Sequence, residues 1–126
     1  MQLYLTKTPR QTAISLTCDL VDRVGRGHWR HESGEDDEAN CLSVLVECRE
    51  AFWSMDKVTE RLVLATAGLA VRAWRAGSDA TTRAALCFCA TTVPSVPSAL
   101  RRLALLQLCA NAALQVGKPA LADALF

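Results

Sequence analysis

The stretch that most narrows the possible folds runs from Ala84 to Phe126. There two apolar, helix-patterned segments meet at Cys89-Ala90-Thr91-Thr92-Val93-Pro94-Ser95-Val96-Pro97-Ser98 instead of at a polar loop. Proline lacks an amide proton and disfavours helical geometry in the residue before it, so the chain must turn near Val93. Apolar flanks on a turn mean that the turn itself packs against neighbours. Corners of this kind suit helices stacked on one another in a solenoid.

Length and composition agree with that reading. The 126 residues amount to one domain at most, and a compact domain of that size buries about two-thirds of the surface of its unfolded chain. Apolar residues make up 51% of the chain, aromatics only 6%, and alanine is the commonest residue. That balance favours closely packed helices over strands or disorder. The expected class is all-α, a partial α-solenoid of antiparallel helix pairs of the HEAT-like kind.

Charge excludes some functions. The net charge is +1, with five basic and seven acidic groups in residues 1–40 and nine and six in residues 41–126. Neither part offers the dense positive face that nucleic acid requires. Two runs lack formal charge, but residues 84–100 contain two prolines and residues 103–117 number only 15. As a helix the second spans about 22 Å, short of the about 30 Å of a bilayer core. A small helical membrane protein is therefore the weaker alternative.

Periodicity places a first helix over residues 11–24, with Ile14, Cys18, Val21 and Val24 on one stripe and Pro9 at its entry. Residues 27–40 turn hydrophilic and read as an exposed acidic insertion loop. A second helix over residues 39–53 aligns Leu42, Leu45, Val46, Arg49 and Phe52 or Trp53, with Glu47 and Glu50 facing away. Asp56 is the expected N-cap of a third helix to Ala76, whose stripe is Val58, Leu62, Ala65, Leu69 and Ala73, and Gly77 ends it. Ser78 or Asp79 caps a fourth helix to Thr92, and Ser98 a fifth to about Val116 with Leu103, Leu106, Ala110 and Leu114 in line. Gly117-Lys118-Pro119 reads as a turn into another helix. No strict period is legible, and residues 1–126 read as a fragment of one helical-repeat solenoid.

No constellation points to chemistry. His28-x-x-His31 with Cys41 and Cys48 has zinc-binding residue types, but the cysteines lie two helical turns apart where structural sites use a short knuckle. Cys87 and Cys89 fall on opposite sides of a helix, which suits neither a redox dithiol nor a metal knuckle. The run Glu35-Asp36-Asp37-Glu38 lacks the glycine and terminal glutamate of a calcium loop. No leader-like segment opens the chain, so a reducing compartment is expected. The cysteines are read as small buried hydrophobes, with Cys18, Cys48, Cys87 and Cys109 among apolar neighbours. Arg72, Arg75 and Arg83 surround the third link, and Arg101-Arg102 opens the fifth helix; their ordinary role is a solvated surface with helix-dipole compensation, their functional one an acidic partner or lipid. No catalytic, cofactor-binding or metal residue is expected.

A resemblance adds to this. Cys89, Thr92, Pro94 and Ser95, then Arg102-Leu103-x-Leu105, Ala113-Leu114, Ala122-Asp123-Ala124 and Phe126 resemble the vacuolar protein sorting 35-like subunits of the retriever complex, relatives of the large retromer subunit. Leu42-Ser43, Val46-Glu47-x-Arg49, Phe52, Leu62-Val63 and Leu69-Ala70 are similar to the preceding helices of that family. The chain departs from it in the link Gly77 to Arg83, in having Ala110 where the family turns at a glycine, and at Gly117 and Pro119, which fall inside a continuous family helix. The resemblance implies a non-enzymatic scaffold, cytoplasmic and peripheral on endosomes, bridging an arrestin-like and a phosphoesterase-fold subunit and returning cargo to the cell surface. The alternative from the residues alone is a tetratricopeptide-like peptide-binding adaptor, suggested by Gly117, Ala120 and Ala124.

Overall fold

A computed structural model of the chain describes residues 8–25 and 37–125. Among these residues six α-helices follow one another: α1 (Pro9–Gly25), α2 (Asp37–Ala51), α3 (Asp56–Arg75), α4 (Asp79–Thr92), α5 (Ala99–Gln115) and α6 (Pro119–Leu125), with a 3₁₀ turn at Val93–Ser95 between α4 and α5. The all-α expectation holds throughout the described residues.

Local chemistry explains most boundaries. Helix α1 opens two residues earlier than the stripe indicates because Thr8 and Gln11 form a capping box. The Gln11 amide donates to Thr8 Oγ1 at 3.1 Å and the Thr8 amide to Gln11 Oε1 at 3.0 Å. Pro9 then occupies the first helical position, where a missing amide proton costs nothing. The N-cap of α3 is Met55, not Asp56; Asp56 sits inside the first turn, where its charge complements the helix dipole. Ser78 is the N-cap of α4 without a side-chain hydrogen bond. Ser98 caps α5 as expected, accepting from the Arg101 amide.

Two helices end in the same way. After α3, Gly77 takes φ +84° and the Ser78 amide donates to the Ala73 carbonyl; after α5, Gly117 takes φ +72° and the Lys118 amide donates to the Ala113 carbonyl. Both are left-handed glycine caps, which a side chain would strain. Gly117 and Pro119 therefore do break the chain into α5 and α6, as the residues indicate and against the continuous helix that the resemblance implies.

These caps lie 40 residues apart and belong to a repeat that is hard to see in the sequence: Ala70-x-x-Ala73-x-x-x-Gly77 in α3 recurs as Ala110-x-x-Ala113-x-x-x-Gly117 in α5. Cys18-x-x-Val21-x-x-x-Gly25 in α1 has the same spacing with small or branched residues. All four alanines are fully buried. The 40-residue step falls in the HEAT and armadillo range, about 40–47, and away from the about 34 of tetratricopeptide units.

Packing follows the repeat. Helices α1, α3 and α5 stack in one layer and α2, α4 and α6 in a second, while α1 and α5 do not touch. Neighbour-only contact is the signature of a solenoid. Two cores result. Cys18, Val21, Val24, Cys41, Leu45, Cys48, Val58, Leu62, Leu69 and Phe88 form the first, and Val63, Ala67, Ala70, Leu86, Cys89, Val93, Val96, Leu105, Cys109 and Ala113 are among the residues of the second. Among the described residues, only α3 supplies several to both.

The expected stripes are correct for α1 and α3 and displaced for two others. In α2 the buried line is Cys41, Leu45 and Cys48, and Val46 and Trp53 face solvent. In α5 it is Leu105, Cys109, Ala112, Ala113 and Val116, with Leu103 and Leu114 exposed and Ala110 buried. The residues read as the end of the insertion loop, 37–40, are already helical, and 26–36 lie outside the described residues.

Glycine substitutions separate backbone strain from packing. Nothing lies within 4 Å of a Cβ built at Gly68, Gly77 or Gly117. Gly77→Ala and Gly117→Ala should each lose about 1–2 kcal/mol of unfolding free energy in urea titrations through positive φ alone. Gly68→Ala, within α3, should gain about 0.5–1 kcal/mol.

Candidate functional site

The proline corner is built inward. Val93 and Val96 are 1% and 0% exposed, and the Val96 amide closes the 3₁₀ turn onto the Val93 carbonyl at 3.0 Å. A turn with two prolines leaves carbonyls without intrahelical donors. Arg102 supplies them: its Nη1 donates to the Val96 carbonyl at 2.7 Å and to the Pro97 carbonyl at 3.0 Å. The sequence reading assigned Arg102 to the surface; the structure makes it the clamp that holds the α4 to α5 corner.

The other arginines divide by role. Arg83 pairs with Asp79 at 2.8 Å, one helical turn away. Asp79 also receives Lys118 Nζ at 2.5 Å, so the links after α3 and after α5 are tied across the repeat step. Hydrogen bonds from Lys118 and then Arg83 hold the Asp79 carboxyl below its ordinary range. Arg72 and Arg75 lie in the last turn of α3, where they oppose the helix dipole; Arg72 Nε and Nη2 are buried without a hydrogen-bond partner among the described residues. Arg101 lines a groove of about 600 Å³ with Lys57, Arg61, Ile14 and Leu64, across α1, α3 and α5.

The cysteines are mostly packing residues, with one correction. Cys18, Cys41, Cys48, Cys89 and Cys109 are buried, but Cys87 is exposed, because positions 87 and 89 face opposite sides of α4 and the Cys89 side meets α3 and α5. Cys89 Sγ lies 3.8 Å from the Val63 carbonyl. Its hydrogen bond with Cys109 and its burial push its thiol well up. Burial also raises Cys18 and Cys48. Cys41 and Cys48 are core residues of the first cluster; His28 and His31 lie outside the described residues. Among the described residues no group of three or more histidine, cysteine, aspartate or glutamate side chains is placed to hold a metal ion.

A cleft of about 750 Å³ opens at the α2 to α3 link, lined by Val46, Arg49, Glu50, Trp53, Asp56 and Ser95 among others. Trp53 is 77% exposed there. Arg49, at its margin, donates to the Thr91 carbonyl at 3.3 Å and lies 5.6 Å from the Phe88 ring centroid, joining α2 to α4. Sequence reasoning placed Arg49 on the apolar stripe and missed this cleft; its one visible sign was a tryptophan beside Glu50 in a helix end.

A family model decides between the readings of this fold: that of the VPS35L C-terminal domain matches residues 4–126. The chain belongs to the VPS35L C-terminal domain family. Curated proteins and solved structures gave no match. The match takes in the whole of the resemblance, which covers about residues 40 to 126 and, loosely, 11 to 27, together with the acidic segment between them. VPS35L-type domains belong to a trafficking scaffold family that acts in multisubunit assemblies, and not to a known enzyme family. No described helix is long and apolar enough to cross a membrane.

Two substitutions test this site. Arg102→Met leaves the Val96 and Pro97 carbonyls without their donor and should cost about 1–2 kcal/mol in urea titrations, with the helical signal of the folded state retained. The tie between Asp79 and Lys118 should depend on pH. A carboxyl depressed in the folded state stabilises above its unfolded pKa, about 3.9, and the contribution fades as pH falls through the folded value. Lys118→Gln should therefore lower the melting temperature at pH 7 and make a smaller difference at pH 3.

Proposed function

We propose that the chain is a length of the rod in a retriever-like scaffold subunit, supporting transport of membrane proteins from endosomes back to the plasma membrane. The observation that carries this reading is the family match over nearly the whole chain together with neighbour-only stacking of α1, α3 and α5. The proposed partners are an arrestin-like and a phosphoesterase-fold subunit of the same complex. The location is the cytoplasmic face of endosomes, held peripherally. The work is geometric: stacked helices fix the distance and angle between partners bound elsewhere on the rod.

Surface chemistry at α5 supports the scaffold reading. Val63 of α3 is fully buried in the core shared with α4 and α5, and its counterpart 40 residues later, Leu103, is 58% exposed. Leu100, one turn before it, is also exposed, at 81%. Helix α5 thus offers outward the kind of face that α3 gives to α5, which suits a further repeat. Covering each leucine is worth about 1.5–3 kcal/mol.

The test is to tag the chromosomal copy near its amino end and purify the intact product. The expected result is a polypeptide longer than 126 residues accompanied by arrestin-like and phosphoesterase-fold subunits. A stable product of 13.7 kDa without them would contradict the assignment.

A further inference from the structure

We propose that the cleft at the α2 to α3 link is a docking site for an arginine-bearing segment of a protein partner, with Trp53 as the stacking platform and Glu50 and Asp56 as the anionic walls. This goes beyond the endosomal assignment and does not depend on it.

Position comes first. Ser95 closes the cleft from the following link, the α4 to α5 corner, and Arg49 bounds it where α2 reaches α4. The opening therefore lies along the edge where successive helix pairs are joined. Further repeats stack on the faces of a solenoid and leave this edge open. The exposure of Leu103 is relieved by another repeat; the 77% exposure of Trp53 is not. A tryptophan this exposed, with Val46 also 39% exposed beside it, marks a surface that meets something else.

Charge selects the occupant. Glu50 and Asp56 are exposed and form no ion pair among the described residues. The one base in the lining, Arg49, is engaged with the Thr91 carbonyl and the Phe88 ring. The lining thus combines an exposed indole with two carboxylates against one guanidinium that is already turned to α4, a net charge of −1. A planar guanidinium satisfies both, stacking on the ring while donating paired hydrogen bonds to a carboxylate. Lysine satisfies the charge without the plane and should bind less well.

The experiment titrates a capped hexapeptide of alternating leucine and arginine into the whole 126-residue chain by calorimetry. Versions with lysine or glutamate in place of arginine serve as comparison peptides. Binding should weaken with added salt and in the order arginine, lysine, glutamate. Trp53→Ala should weaken it about tenfold, and Glu50→Gln with Asp56→Asn should weaken it without touching the tryptophan. Trp74→Ala, at an exposed tryptophan outside the cleft, should leave it unchanged. All these side chains are exposed, and circular dichroism verifies the fold of each variant. No binding of the arginine peptide at about 1 mM, equal binding of the glutamate peptide, or equal losses from Trp53→Ala and Trp74→Ala would overturn the proposal.

Discussion

Everything in this structure hangs on the double burial of α3. It packs against α1 and α2 on one side and α4 and α5 on the other, and it alone contributes several residues to both cores. Such a helix must be apolar around most of its circumference, which in water is tolerable only if neighbours approach closely from several directions. Ala67 and Ala70 make this possible on the α4 and α5 side, since small side chains let helix axes draw together. Thr66, also fully buried, disposes of its hydroxyl within its own helix by donating to the Leu62 carbonyl at 2.6 Å. A larger residue at any alanine would push a layer outward and change the pitch of the stack.

The links turn that packing into a repeat. Left-handed glycine caps after α3 and α5 reverse the chain within three residues, and the proline corner after α4 returns it to the first layer. Each link is held by side chains as well as backbone: Arg102 at the corner, and Lys118 across the repeat step to Asp79. A scaffold that works by holding partners at a fixed separation needs stiff joints more than reactive groups. The arginines that looked like a binding surface are in part those joints. The exposed residues at the link edge, Trp53 above all, are the ones left over for recognition.

Helix positions were legible in the sequence because breaks are written in residues with strong backbone preferences: Pro94, Pro97, Gly77 and Gly117 each end or turn the chain where expected. Faces were less legible. In α2 and α5, leucine, alanine, valine and cysteine occupy so much of the circumference that several stripes satisfy helical spacing, and only the direction of the neighbouring helix decides which is covered. The line through Leu103 and Leu114 is as apolar as the one through Leu105 and Cys109; it points away from α3. Cys87 was misread for the same reason. The repeat went unseen because its conserved spacing is made of alanines in an alanine-rich chain, and because the acidic segment after Gly25 shifts the first unit out of phase. Of the Trp53 cleft only the tryptophan near Glu50 was visible, since Ser95 comes from a link more than 40 residues away.

Native-state amide hydrogen exchange, followed residue by residue by NMR, tests the central role of α3 most directly. A helix buried between two cores opens only with the whole fold, whereas helices at the ends of the stack can open singly. The amides of Leu62, Thr66, Ala70 and Ala73 should exchange slowest in the chain, with protection falling through α4 and α5 and lowest in α1 and α6. Exchange in α3 as fast as in α1, or uniform protection across all six helices, would contradict a solenoid organised around this helix.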